Sequence, residues 1–133
     1  MDERELAEAK KAADTALRAL EEARDYLSSA RNWGIADILG GGFLTTLIKR
    51  GKMDDAERCL MRARNAMNRL AEELADLPGA RLEAGDFLEF ADYFFDGAIA
   101  DFLVQSRIKR TLEQTEEAMR RVRRVREQLR AMG

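Results

Sequence analysis

The 133-residue chain contains no histidine, one cysteine, one proline and one tryptophan. Without histidine it lacks the commonest general base, the usual zinc ligand and the Glu-x-x-His element of di-iron helix bundles, so zinc, haem and triad chemistry are not expected. The lone Cys59 admits no intramolecular disulfide and falls at a small apolar position of a helical pattern, so a reducing, cytoplasmic setting is expected. The opening Met1-Asp2-Glu3-Arg4-Glu5 lacks the basic start and apolar run of a secretory signal. The most apolar stretch, residues 33–48, holds Asp37 and three consecutive glycines and falls short of the ~20 residues that span a bilayer, so no membrane partner is expected. A formal net charge of -2 supplies no global field for nucleic acid or membrane.

What is present is helix composition: alanine, leucine, glutamate and arginine dominate, and 36% of residues are charged. Residues 1–133 read as a single helical domain. Over the first thirty residues two seven-residue series interleave, Leu6-Ala13-Leu20-Leu27 and Ala9-Ala16-Ala23-Ala30, which is an a/d seam with one side entirely small. Leu17 widens that stripe. A break is expected at Trp33-Gly34, a bend at Gly40-Gly41-Gly42 and a helix stop at Gly51, with Asp54 or Asp55 capping the next helix. That helix carries Ala56, Leu60, Ala63, Met67, Leu70, Leu74 and Leu77 and ends at Pro78-Gly79. After a loop to Gly85, Asp86 is placed to cap a phenylalanine-rich helix that nothing interrupts before Met132. The expected fold is all-α, an antiparallel helix bundle of four to five helices. Its N- and C-terminal helices pair as a coiled coil that projects beyond the core.

Only carboxylates remain as metal ligands, and these favour a hard ion such as magnesium. Glu73 and Asp76, and Glu89, Asp92 and Asp96, stand at three- and four-residue spacings that place each set on one helical face. Against that stands the ordinary reading of such acids as solvated surface charge. With Asp54 and Glu57 upstream, Glu73-Leu74-Ala75-Asp76 resembles the paired acidic motifs of the MazG-type all-α nucleotide pyrophosphohydrolases. The resemblance covers two four-residue windows and has aspartate at position 54 where that family uses glutamate. It implies a magnesium-dependent nucleotide hydrolase as one alternative. Gly40-Gly41-Gly42 with Thr45, Thr46 and Lys49 fails the phosphate-loop pattern and reads as a turn.

The C-terminal segment carries Arg120, Arg121, Arg123, Arg124, Arg126 and Arg130 against Glu127 alone, a face suited to nucleic acid or an acidic partner. The first 25 residues hold eight acids against five bases, so charge-matched pairing of the two ends competes with that reading and is favoured. Aromatic residues for base stacking are missing from this segment.

Asn32-Trp33-Gly34-Ile35-Ala36-Asp37-Ile38-Leu39-Gly40-Gly41-Gly42, continuing through Lys49 to Met53-Asp54-Asp55-Ala56, resembles a segment of bacterial helical proteins with predicted coiled coils. That resemblance implies a bacterial helical protein and carries no activity. Trp33, Asp37 and Gly40, Gly41 and Gly42 would form a turn or a ligand pocket there. Heptad periodicity without a catalytic constellation favours a non-enzymatic helical interaction or scaffold module without a cofactor, self-associating or bound to a protein partner. The alternatives are the magnesium hydrolase and nucleic-acid binding through the arginine-rich helix.

Overall fold

A computed structural model describes the backbone of residues 3–40, 43–103 and 108–132, and side chains over 3–29, 54–80, 83–100 and 108–132. It contains four helices: α1 (Glu3–Gly40), α2 (Phe43–Ala75), α3 (Arg81–Leu103) and α4 (Ile108–Met132). Among the described residues each packs on two neighbours, in the cyclic order α1, α2, α3, α4, with no contact across either diagonal. Neighbours are antiparallel. The Arg62–Glu22 pair (3.2 Å) ties α2 to α1, and Asp14–Arg126 (3.7 Å) with the Leu27, Ile108 and Leu112 cluster orients α4 on α1. Arg121 over the Phe90 ring (4.4 Å) and Gln114 against Gly97 orient α4 on α3. The result is the up-down-up-down four-helix bundle, with the chain ends side by side.

The alanine seam is buried as its period requires: Ala9, Ala13, Ala16 and Ala23 have no exposed surface. Leucines at 20 and 27 fill the layers between them, Leu20 in one core cluster with Met67, Leu70 and Leu74 of α2 and Leu27 in a second with Leu60. Across the bundle α3 supplies the bulk through Phe87, Phe94 and Phe95, the last two in edge contact at 4.6 Å between ring centres. Thr111 and Thr115 are the buried polar side chains of α4, and the Thr115 hydroxyl donates to the Thr111 carbonyl (2.8 Å), so burial leaves it satisfied. At Arg126, where the apolar period of α4 is interrupted, the guanidinium turns to Asp14 instead of entering the core.

Several expected boundaries move. α1 continues through Trp33 and Gly34 to Gly40, and α2 passes through Gly51, Asp54 and Asp55. A lone glycine costs about 1 kcal/mol against alanine, which a nucleated helix of thirty residues carries without stopping. Asp55 therefore caps nothing and instead accepts from Arg58 (2.7 Å), one turn on. Gly41 and Gly42 lie outside the described residues. α3 starts at Arg81 rather than at Asp86, because Leu77-Pro78-Gly79-Ala80 reverses the chain in one tight turn. The Ala80 amide donates to the Leu77 carbonyl (3.2 Å), and Gly79 takes φ +90° behind a proline, the requirement of a type II turn. The single long C-terminal helix is also replaced, by α3 and α4 folded against one another. No glycine or proline marks that reversal; folding back is what gives the phenylalanine face of α3 a partner.

The expected projection of the paired chain ends is not formed, and it is α1 that runs on at the opposite end of the bundle. Val125 and Leu129 of α4 are buried in the main core, beside the α2–α3 turn, so the chain ends do not project. Instead α4 begins level with Tyr26 and Leu27 of α1, leaving residues 28–40 of α1 to run on past it. At 1.5 Å per residue that overhang is about 20 Å, and α2 returns alongside it.

Truncating Phe95, which has no exposed surface, is expected to destabilise the bundle by about 3–5 kcal/mol, whereas Leu88→Ala on the exposed side of α3 should change stability by less than about 0.5 kcal/mol. Urea denaturation followed by circular dichroism checks both; equal effects would show that α3 is not the filler of this core.

Candidate functional site

The structure distributes the five candidate metal ligands over different faces. Glu73 lies in the α1–α2 groove beside Glu8 and Lys11 and pairs with Arg69 (3.1 Å). Asp76 follows the end of α2 and is exposed. Asp92 turns towards α2, where it lines an open groove of about 680 Å³ with Asn68 and Glu72. Glu89 lies at the other edge of α3, in a hollow of about 460 Å³ shared with Arg121 of α4, and Asp96 is exposed further along α3. Among the described residues no group of three or more acidic or cysteine side chains is placed to hold a metal ion. The periodicity that put the acids on common faces of their own helices did not carry information about which neighbour each face meets.

The six arginines also divide. Arg126 pairs with Asp14 of α1, with its Nε buried and unbonded; Arg120 chelates Glu117 within α4 (2.6 Å); Arg121 covers the Phe90 ring. Arg123, Arg124 and Arg130 are exposed and make no ion pair among the described residues. One arginine thus serves the expected pairing of the two chain ends, and three remain available. The pocket expected around Trp33, Asp37 and Gly40 falls on α1 by its backbone, but those side chains, and Gly41 and Gly42 altogether, lie outside the described residues.

Two surfaces were not singled out by spacing alone. The α2–α3 groove has a floor of small residues, Ala71, Ala75, Ala84 and Gly85, with Leu88 on its wall and Glu72 and Asp92 at its rim. On the far side of α3, Asp86, Glu89, Phe90 and Tyr93 gather against Arg121. Tyr93 is 81% exposed and stands out of phase with the buried phenylalanines at 87, 94 and 95, a signal that a helical projection of α3 does contain.

Cys59, 3% exposed, is the one buried thiol, and burial, then the neighbouring Glu22 carboxylate, pushes its pKa above the ordinary value. A nucleophilic cysteine needs the opposite shift, so this thiol fills space rather than reacts. Because the folded state holds the proton more tightly, its contribution to stability is present below the ordinary thiol pKa and lost as pH rises through the raised value. At pH 8 an aromatic disulfide reagent is expected to label the native protein far more slowly than the urea-unfolded chain; equal rates would contradict the assignment.

No described helix is long and apolar enough to cross a membrane. No family model matches the chain, and neither a curated protein nor a solved structure does. Given the dispersal of the acids, millimolar magnesium is expected to leave the melting temperature of the protein unchanged. A magnesium-dependent rise that disappears in Asp92→Asn would establish a metal site and return the hydrolase reading.

Proposed function

We propose that the chain is a non-enzymatic helical interaction module that self-associates. The observation carrying this reading is the unequal length of its two hairpins. α1 and α2 outrun α4 by about 20 Å, and the most apolar run of the sequence, residues 33–48 with Asp37 as its one charge, lies wholly within that overhang. α4 begins at Ile108, level with Leu27, so among the described residues no third or fourth helix runs beside these turns. A two-helix hairpin this apolar is stable in water only when a further surface covers it. A second copy of the same chain offers the same unsatisfied surface, which is the usual route to a symmetric oligomer.

The chemistry available elsewhere supports the same reading. The chain has no histidine, its cysteine is buried with a raised pKa, and its acids are spread over separate grooves. The arginines of α4 are partly engaged in fold contacts and have no aromatic platform beside the exposed three. Both features weigh against a hydrolase and against single-strand binding.

Sedimentation equilibrium tests the proposal. The wild-type protein is expected to form a defined oligomer at micromolar concentration, and Leu44→Lys with Leu47→Lys should weaken it at least tenfold while leaving helix content unchanged. A wild-type monomer at all concentrations would overturn the reading. So would an unchanged oligomer in that variant together with loss of binding to lipid vesicles, which would assign the overhang to a bilayer surface instead.

A further inference from the structure

Charge is segregated on the short hairpin. From Arg81 to Leu103 the sequence of α3 carries six acids against one base, and Glu83, Asp86, Glu89, Asp92 and Asp96 are all exposed. α4 carries its arginines from 120 onwards, with Arg120, Arg123, Arg124 and Arg130 exposed. The Phe90–Arg121 contact fixes the relative height of the two helices. Counting antiparallel from that pair, Asp86 and Glu89 stand level with residues 122–125 of α4, so the acidic and basic stretches lie side by side at one height. Exposed Tyr93 and half-buried Phe90 sit at the centre of the same face, an apolar spot within a charged rim.

We infer that this α3–α4 face is where a second copy of the chain docks, about a two-fold axis parallel to the helices. The inference rests on the self-association proposed above and adds a second contact surface, distinct from the α1–α2 overhang, and its symmetry. Symmetry is decided by charge. An axis across the helices in the plane of the interface sets α3 on α3 and α4 on α4, acid against acid and arginine against arginine. An axis parallel to the helices sets α3 of one copy on α4 of the other at equal height, and does so twice. Asp86 and Glu89 then meet, on the second copy, Arg124 and also Arg120, which shares its guanidinium with Glu117 of its own helix (2.6 Å), and Tyr93 is covered at the centre, where interfaces place their aromatic anchors. Two helices about 35 Å long and about 10 Å apart offer roughly 700 Å² per partner, close to the ~800 Å² of a stable interface. The same axis leaves both overhangs at one end of the dimer, on its outer layers, free to make a separate contact with a further copy.

Two charge-reversed variants test this by sedimentation equilibrium: Asp86→Arg with Glu89→Arg, and Arg120→Glu with Arg124→Glu. All four positions are exposed, so circular dichroism should show unchanged helix content. Each variant alone is expected to weaken dimerisation at least a hundredfold, and an equimolar mixture should restore a heterodimer at near wild-type strength. Tyr93→Ser should weaken the wild-type dimer about tenfold, and rising salt should weaken it further. Wild-type association in both reversed variants would overturn the inference, and if the overhang variant still dissociates, the broader reading survives without it. Two weakened variants that do not rescue each other would also overturn it, because the charges would then not face one another. A monomeric wild-type chain removes both readings.

Discussion

The bundle depends on the disparity in size between the side chains of two diagonal helices. α1 presents Ala9, Ala12, Ala13, Ala16 and Ala23 to the interior, and a seam this small lets α2 and α4 approach closely on either side. Close approach alone would leave the centre underfilled, since interiors pack to near-crystalline density and each missing methylene is felt. The volume returns from the opposite corner, where α3 places Phe87, Phe94 and Phe95 into the same cluster without making backbone contact with α1. Helix order in space follows from that compensation.

Exposed ion pairs add little to this frame. Arg4–Glu8, Arg58–Asp55 and Arg120–Glu117 lie within single helices at the surface, where such pairs contribute a few tenths of a kcal/mol. Their charges act more through placement. Arg62–Glu22 and Arg126–Asp14 join different helices at definite heights and so oppose axial slippage along an alanine seam that offers few large knobs to resist it. On the α3–α4 side the opposite charges meet within the chain as well, where Asp86 and Glu89 share a hollow with Arg121, which also covers the Phe90 ring.

Much of the interior was legible from periodicity, because a seven-residue repeat and a 3.6-residue helix fix which side chains share a stripe. Leu6, Ala13, Leu20 and Leu27, the α2 series from Ala56 to Leu77, and Phe87, Phe94 and Phe95 are buried where their spacing placed them, with Phe90 half-buried at the edge. Boundaries were less legible. Gly34 and Gly51 looked like stops because propensity was weighed residue by residue, whereas a long helix absorbs one unfavourable residue. The reversal between α3 and α4 left no local mark at all, since it is driven by the need of the Phe94–Phe95 face for a partner far away in sequence. Candidate sites were least legible for a related reason: Glu72, not Glu73, shares a groove with Asp92, and a rotation of one residue about the α2 axis decides which.

That rotation matters to the functional argument. A carboxylate metal site in a helix bundle requires acids on facing helices to project into one enclosed volume, as they do where four helices contribute in turn. Here the enclosed volume is filled by leucine, methionine and phenylalanine, and the buried polar side chains of the described core are two threonines, one of which bonds its own backbone. The acids and arginines are left outside, on faces rather than in a cavity. Among the described residues the interior is given to packing, and the polar side chains lie on open helical surfaces, where water screens their charge. This distribution is the one that the interaction module proposed above requires of its residues.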